Sequence, residues 1–190
     1  MYGEGNRVQR VGDGQELAQR EEPYFNRSIM HFCSHRNTPN NGEVEGSAIT
    51  VGKHGAYICW KLFSEYATVG DLITKEIFHA VLDLLLGERK TLQTNLPSQA
   101  RVTLMDQTAE RRLVNHLLFA SLIKRGDGSI EVIEDVIPLY DVQVTVRPGR
   151  TIRRVYLAPQ MEEIPFTQEN GQVRYTVKKL ENHQMVVMDY

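Results

Sequence analysis

The run His31-Phe32-Cys33-Ser34-His35 sets three metal-capable side chains within five residues. If the segment is an extended strand, its side chains alternate and His31, Cys33 and His35 share one face. Thiolate and imidazole are zinc ligands. A fully extended HxCxH does not easily converge on one ion, however, and the paired spacings of structural zinc sites are missing. The residues favour a strand end with a buried thiol over a metal site. Cys33 could act as a thiolate nucleophile with His31 or His35 as its base, but its apolar neighbours favour an inert core thiol. Ser34 and Ser64 lack the GxSxG turn that presents a serine nucleophile. Glu43, Glu45, Glu65 and Asp71 place carboxylates in or near loops. A carboxylate pair can cleave glycosides, but no spacing here fixes a catalytic separation.

A second group is aromatic. Tyr57, Trp60, Phe63 and Tyr66 cluster in GAYICWKLFSEY. Exposed rings make stacking platforms for sugars, whereas rings in strands more often belong to a core or a subunit interface, and the latter reading is favoured. Arg111-Arg112, Arg147, Arg150 and Arg153-Arg154 are scattered among Asp and Glu and read as a solvated sheet face.

These residues sit on a chain of 190 amino acids, enough for one large domain or two small ones. Its 41% hydrophobic and 24% charged content is ordinary for a globular protein. A net charge of −2 predicts no nucleic-acid partner and no attraction to anionic lipid. No apolar run approaches the roughly 20 residues of a membrane span. The first ten residues lack the apolar core of a signal peptide. Two cysteines, Cys33 and Cys59, argue against a disulfide framework and fit a reducing, cytoplasmic setting.

The element that organises the chain is Gly70–Gly87. Ile73, Ile77, Ala80, Val81 and Leu84 form an apolar stripe at the helical period, widened by Leu72, Phe78, Leu82, Leu85 and Leu86. Asp71, alone or paired with Thr68, can cap its start, and Gly87 suits a left-handed cap at its end. Ahead of it, residues 1–22 are Gly-rich and charged and read as a flexible lead-in that contributes no strand. Strands are expected at 27–33, 47–52 and 55–60, with a polar loop at 34–46 and a mixed loop at 61–69. After Gly87 the texture is all-β. Strands are expected at 90–96, 100–106, 111–121, 130–136, 142–147, 152–157, 173–177 and 185–188, separated by turn signals such as Asn170-Gly171. In 173–177, Val173, Tyr175 and Val177 share a face. This predicts an α+β chain: a partial flavodoxin-like α/β layer with one long helix at 23–90, then a small antiparallel β-sandwich at 91–190.

The segments HFCSHRNTP, YICWKLFSEYATVGDLITKEIFHAVLDLLLG, TNLPSQARVTLMDQTAERRLVNHLLFASLIKRG, EVIEDVIPLYDV and VYLAPQMEEIPF, with a closing MVVMDY, together resemble the C-terminal region of bacterial glycoside hydrolases. Those enzymes carry a catalytic (β/α) barrel, a β-galactosidase-trimerisation-type domain of glutamine-amidotransferase-like fold, and a small β-sandwich. They are related in layout to family-forty-two β-galactosidases and, more distantly, to α-L-fucosidase-like enzymes. The resemblance runs over residues 23–190. It implies a non-catalytic accessory and oligomerisation region, with the barrel and the first half of the trimerisation-type domain outside these residues. No catalytic residue carries over, and neither metal nor cofactor is implied. The expected partners are further copies of the chain, meeting through helix 71–86 or strands 47–60, and carbohydrate. The candidate carbohydrate-binding residues are His35, Arg36, Trp60 and Tyr66, with Tyr140 and Tyr156 as exposed rings should the sandwich itself bind glycans. A third reading makes the chain a small glycosidase working through loop carboxylates between Glu43 and Glu65.

Overall fold

A computed structural model describes residues 5–23 and 40–190. The chain divides into two compact units, 1–89 and 90–190. Among the described residues, no helix is long and apolar enough to cross a membrane.

The first unit holds strands β1 (Gln15–Pro23), β2 (Asn40–Val51) and β3 (Ala56–Ile58), followed by helices α1 (Leu62–Val69) and α2 (Leu72–Leu86). The strands form one sheet in the order β1-β2-β3 with antiparallel neighbours. A flavodoxin-like layer is parallel, so these strands do not supply one. Strand β1 corrects the expectation that residues 1–22 contribute no strand. Its inward positions are Glu16, Ala18, Arg20 and Glu22, half-buried in alternation with exposed neighbours. That face is polar and largely paired: Arg20 binds Glu22 at 2.6 Å, Arg7 bridges Glu22 and Glu45, and Ser47 donates to Glu16, while Arg20 Nη1 is buried without a hydrogen-bond partner. An apolar alternation is therefore not there to be read. The expected strand at 27–33 lies outside the described residues. Residues 40–46, expected as loop, extend β2, whose irregular register accommodates Gly42 and Gly46 at positive φ.

Where a mixed loop is expected over 61–69, residues 62–69 are helical. Leu62 and Glu65 bury one side of α1, and Gly70 ends it in the left-handed region, its N–H on the Tyr66 carbonyl at 3.0 Å. Helix α2 starts on Asp71, which accepts the Ile73 N–H; Thr68 instead donates to the Ser64 carbonyl within α1. Gly87 follows at φ 49° and ψ −125°, a Gly-compatible end but not the αL cap expected. The buried seam of α2 runs through Ile77, Val81 and Leu85 against Ala48, Ile49 and Cys59. The predicted stripe is rotated by about a residue: Ile73 and Leu84 face solvent, Leu84 at 62% exposure, and Thr74 is buried instead. Thr74 can sit there because its hydroxyl donates to the Asp71 carbonyl at 2.6 Å.

The second unit is a β-sandwich. One sheet contains β5 (Arg101–Gln107), β6 (Arg112–Leu118), β10 (Arg154–Ala158), β11 (Glu162–Glu163) and β14 (His183–Asp189), ordered β11-β10-β14-β6-β5. The other contains β4 (Leu92–Thr94), β9 (Leu139–Val146), β12 (Phe166–Glu169) and β13 (Gln172–Leu180), ordered β12-β13-β9-β4. A separate hairpin joins β7 (Leu122–Arg125) to β8 (Ile130–Ile133). The core draws Val142, Val144 and Val146 from β9, Val173, Tyr175 and Val177 from β13, Leu113 and Leu117 from β6, and Val186 and Met188 from β14. The shared face of Val173, Tyr175 and Val177 is therefore as the alternation predicts, all three being buried. Within this core Tyr175 donates to Asn115 Oδ1 at 2.6 Å, and Asn115 Nδ2 donates to the Thr103 carbonyl at 2.9 Å. Burial holds the Tyr175 phenol far above its ordinary value of 10.0.

At Gly46 an added Cβ would lie 2.5 Å from the Val8 carbonyl oxygen, at φ +101°. Gly46→Ala is expected to cost about 1–3 kcal/mol, read as a lowered midpoint in Trp60 fluorescence on urea titration. Gly42→Ala, in open space, should cost less. Tyr175→Phe leaves the Asn115 carbonyl without its donor and is expected to cost about 1–3 kcal/mol at neutral pH. A phenol whose folded pKa is raised stabilises fully below the unfolded pKa and loses that contribution as pH rises above it. Calorimetry above pH 10 should therefore show wild-type stability falling by up to about 1.4 kcal/mol per pH unit, and Tyr175→Phe should flatten that slope.

Candidate functional site

Two of the aromatic residues read from the sequence, Trp60 and Phe63, meet in a cleft of 270 Å³ where the end of β3 turns into α1. Its walls include Ile58, Trp60, Phe63 and Phe78, with Lys61 and Ser64 beside them. The local chain order explains the convergence. Strand β3 ends at Ile58, Trp60 and Lys61 turn the chain, and Leu62 opens α1, so residues 58–64 curl around one hollow. Leu62 turns inward as the buried anchor of α1, which pushes Phe63 outward to 68% exposure. Phe63 is not loose: its ring meets that of Phe78 on α2 edge-on, centroids 5.0 Å apart and planes at 72°.

Trp60 is half-buried. Gly5 bridges to it backbone to backbone, and a Cβ on Gly5 would sit 3.0 Å from Trp60 Cδ1, so a larger residue would push the indole aside by a few tenths of an ångström. Behind it, Cys59 is buried and desolvation raises its thiol pKa, which leaves it poorly suited as a nucleophile. Tyr57, on β3, accepts a hydrogen bond at its hydroxyl from Asn6 Nδ2 at 3.0 Å. Tyr66 is exposed on α1 and is not among the cleft residues. His31, Cys33, Ser34, His35 and Arg36 lie outside the described residues, so the strand-face ligand set and the His35–Arg36 pair have no geometry here. Among the described residues no group of three His, Cys, Asp or Glu side chains could hold a metal ion.

The carboxylates read from the sequence have separate structural settings. Glu45 pairs with Arg7 at 2.7 Å, Glu65 is buried on α1, Asp71 caps α2, and Glu43 is exposed on β2. A further carboxylate of this unit, Glu16, is held below the ordinary carboxylate value, first by the Ser47 hydroxyl and then by Gln19. It stands on β1, which the sequence reading leaves unstructured.

In the sandwich, Tyr140 is exposed at 65%, as a ring available for stacking must be. Tyr156 is not: it is 5% exposed, packed with Val114 and Val187 and covered by the Arg154 guanidinium 4.5 Å from its centroid. The expectation that Tyr156 offers an open platform is corrected, because the outward face of β10 is itself apolar and closes over the ring. Several arginines of the expected solvated face hold specific partners, including Arg150 on Asp106 at 3.0 Å and over the Tyr190 ring at 4.1 Å. A pair that the sequence reading missed is His116 on β6 and His183 on β14. Their rings are parallel within 4°, with His116 Nδ1 3.0 Å from His183 Nε2. The two are 67 positions apart, and only the β6–β14 register brings them together.

No protein-family model matches this chain, and no curated protein does. Among solved structures it is similar to α-L-fucosidase isoenzyme 2 from Paenibacillus thiaminolyticus, at 50% sequence identity and a TM-score of 0.92. That similarity covers 100% of this chain and 29% of the fucosidase, so the chain spans less than a third of the length of the glycoside hydrolase it resembles.

Proposed function

We propose that this chain is a non-catalytic accessory and oligomerisation region of a glycoside hydrolase. The observation that carries the reading is the whole-length match to only 29% of an α-L-fucosidase. On this reading the matched part serves as a supporting region of the larger enzyme, which agrees with its occupying a minor share of the fucosidase chain. The dispersed settings of Glu43, Glu45, Glu65 and Asp71 agree with this, since glycoside cleavage needs two facing carboxyl groups. The trimerisation-type role belongs to the first unit in this reading, although its described strands are antiparallel. The surface offered for self-association is the outward side of α2, where Leu72, Ile73, Leu84 and Leu86 are exposed on an otherwise seated helix. A cytoplasmic setting is part of the proposal, supported by the buried, unpaired Cys59.

Light scattering of the full chain at micromolar concentration is expected to give a multiple of 21.8 kDa, reduced to one chain by Leu84→Glu with Ile73→Glu. A single-chain mass for the unmodified protein removes the oligomerisation role. The chain alone should not turn over a chromogenic α-L-fucoside. Turnover abolished by Glu45→Gln would replace this reading with a glycosidase.

A further inference from the structure

We infer that the cleft between β3, α1 and α2 is a binding subsite for one 6-deoxyhexopyranose ring. The ring class follows from the walls. A pyranose has an apolar C–H face and a hydroxyl edge; Trp60, Phe63 and Phe78 offer three aromatic surfaces, and Lys61 and Ser64 offer a cation and a hydroxyl beside them. That is a mostly apolar pocket with a small number of polar groups, the usual make-up of a small-ligand site. Its 270 Å³ lies below the roughly 300 Å³ at which drug-sized pockets begin, which suits a single sugar ring and not a longer glycan. Phe63 carries the argument furthest. A ring 68% exposed to water yet fixed edge-on against Phe78 is already in place before a ligand arrives, so stacking on it loses little conformational freedom. A sugar bearing a methyl group in place of a hydroxymethyl adds one more apolar contact, and with three rings on the walls that contact is favoured over a buried hydroxyl.

The pyranose assignment stands on the cleft; the choice of the fuco configuration rests on the accessory reading above. Trp60 is the single tryptophan of the chain, so its emission reports this site alone. Methyl α-L-fucopyranoside titrated into the full chain is expected to change Trp60 emission saturably with a millimolar midpoint, and methyl α-L-galactopyranoside, which differs by one hydroxyl, to bind several-fold more weakly. Phe63→Ala, at an exposed position, should weaken binding roughly tenfold or more with only a small drop in the thermal midpoint from the lost contact with Phe78, and Lys61→Ala should weaken it by a smaller factor. Absence of a saturable change with either glycoside overturns the subsite. So does a response that survives both variants, or a Phe63→Ala variant that alters the light-scattering mass without sugar, which would make the cleft a contact between copies. Hydrolysis of the fucoside by the chain alone would sink the accessory reading and leave the titration to be judged by itself.

Discussion

Two sheets meet around a hydrogen bond that neither could hold alone. Tyr175 on β13 reaches across the sandwich to Asn115 on β6, and Asn115 turns its amide to the Thr103 carbonyl on β5. Around it the core is mostly valine, leucine and methionine, with Phe119 and Ile152, which constrain volume but not orientation. A buried phenol and a buried carboxamide are tolerable only when each satisfies the other. The bond therefore ties the lateral position of one sheet to that of the other, and the apolar residues fill the space it defines. The β6–β14 ladder that brings His116 beside His183 shares a strand with Asn115, so the same alignment governs the outer surface.

The sandwich was the more legible half of the chain, and the reason is chemical. Val173, Tyr175 and Val177 alternate cleanly because one face of β13 is core and the other is water. Asn170 and Gly171 both take positive φ, so the turn ahead of that strand is written in residue types that tolerate it. The first unit was legible where helix chemistry is local, as in the Asp71 start and the Gly87 stop of α2. It was misread where burial is decided by distant residues. Thr74 lies in the buried seam because the Asp71 carbonyl takes its hydroxyl, while Ile73 beside it faces out. Periodicity alone ranks isoleucine above threonine for that place and so turns the helix by a residue.

The candidate site was legible as a list of aromatics but not as an arrangement. Trp60 and Phe63 stand out in GAYICWKLFSEY, yet their separation into wall and rim depends on α1, whose residues carry the pattern of a loop. Phe78 joins them from a different helix. Tyr156 shows the opposite failure: an aromatic in a sandwich strand with charged neighbours reads as exposed, and Arg154 instead lies over it beside Val114 and Val187. The similarity to part of an α-L-fucosidase agrees with the glycoside-hydrolase likeness visible in the ordered motifs, and it bears on the extent of the match more than on any single residue.

Strand β1 carries its charges inward, and this has a consequence for how the strand finds its place. In a strand with one greasy side, slippage by one position is punished because oily groups would be thrown into water. Here Ala18 alone offers that penalty. The discrimination falls to Glu16 and Glu22, which would swing outward on a one-residue shift and abandon Ser47 and Arg7, whereas Arg20 and Glu22, two positions apart on the same strand, keep their pair in any register. Ion pairing thus acts as the key that fits only one notch, and it does so for a strand that hydrophobicity would leave free to slide.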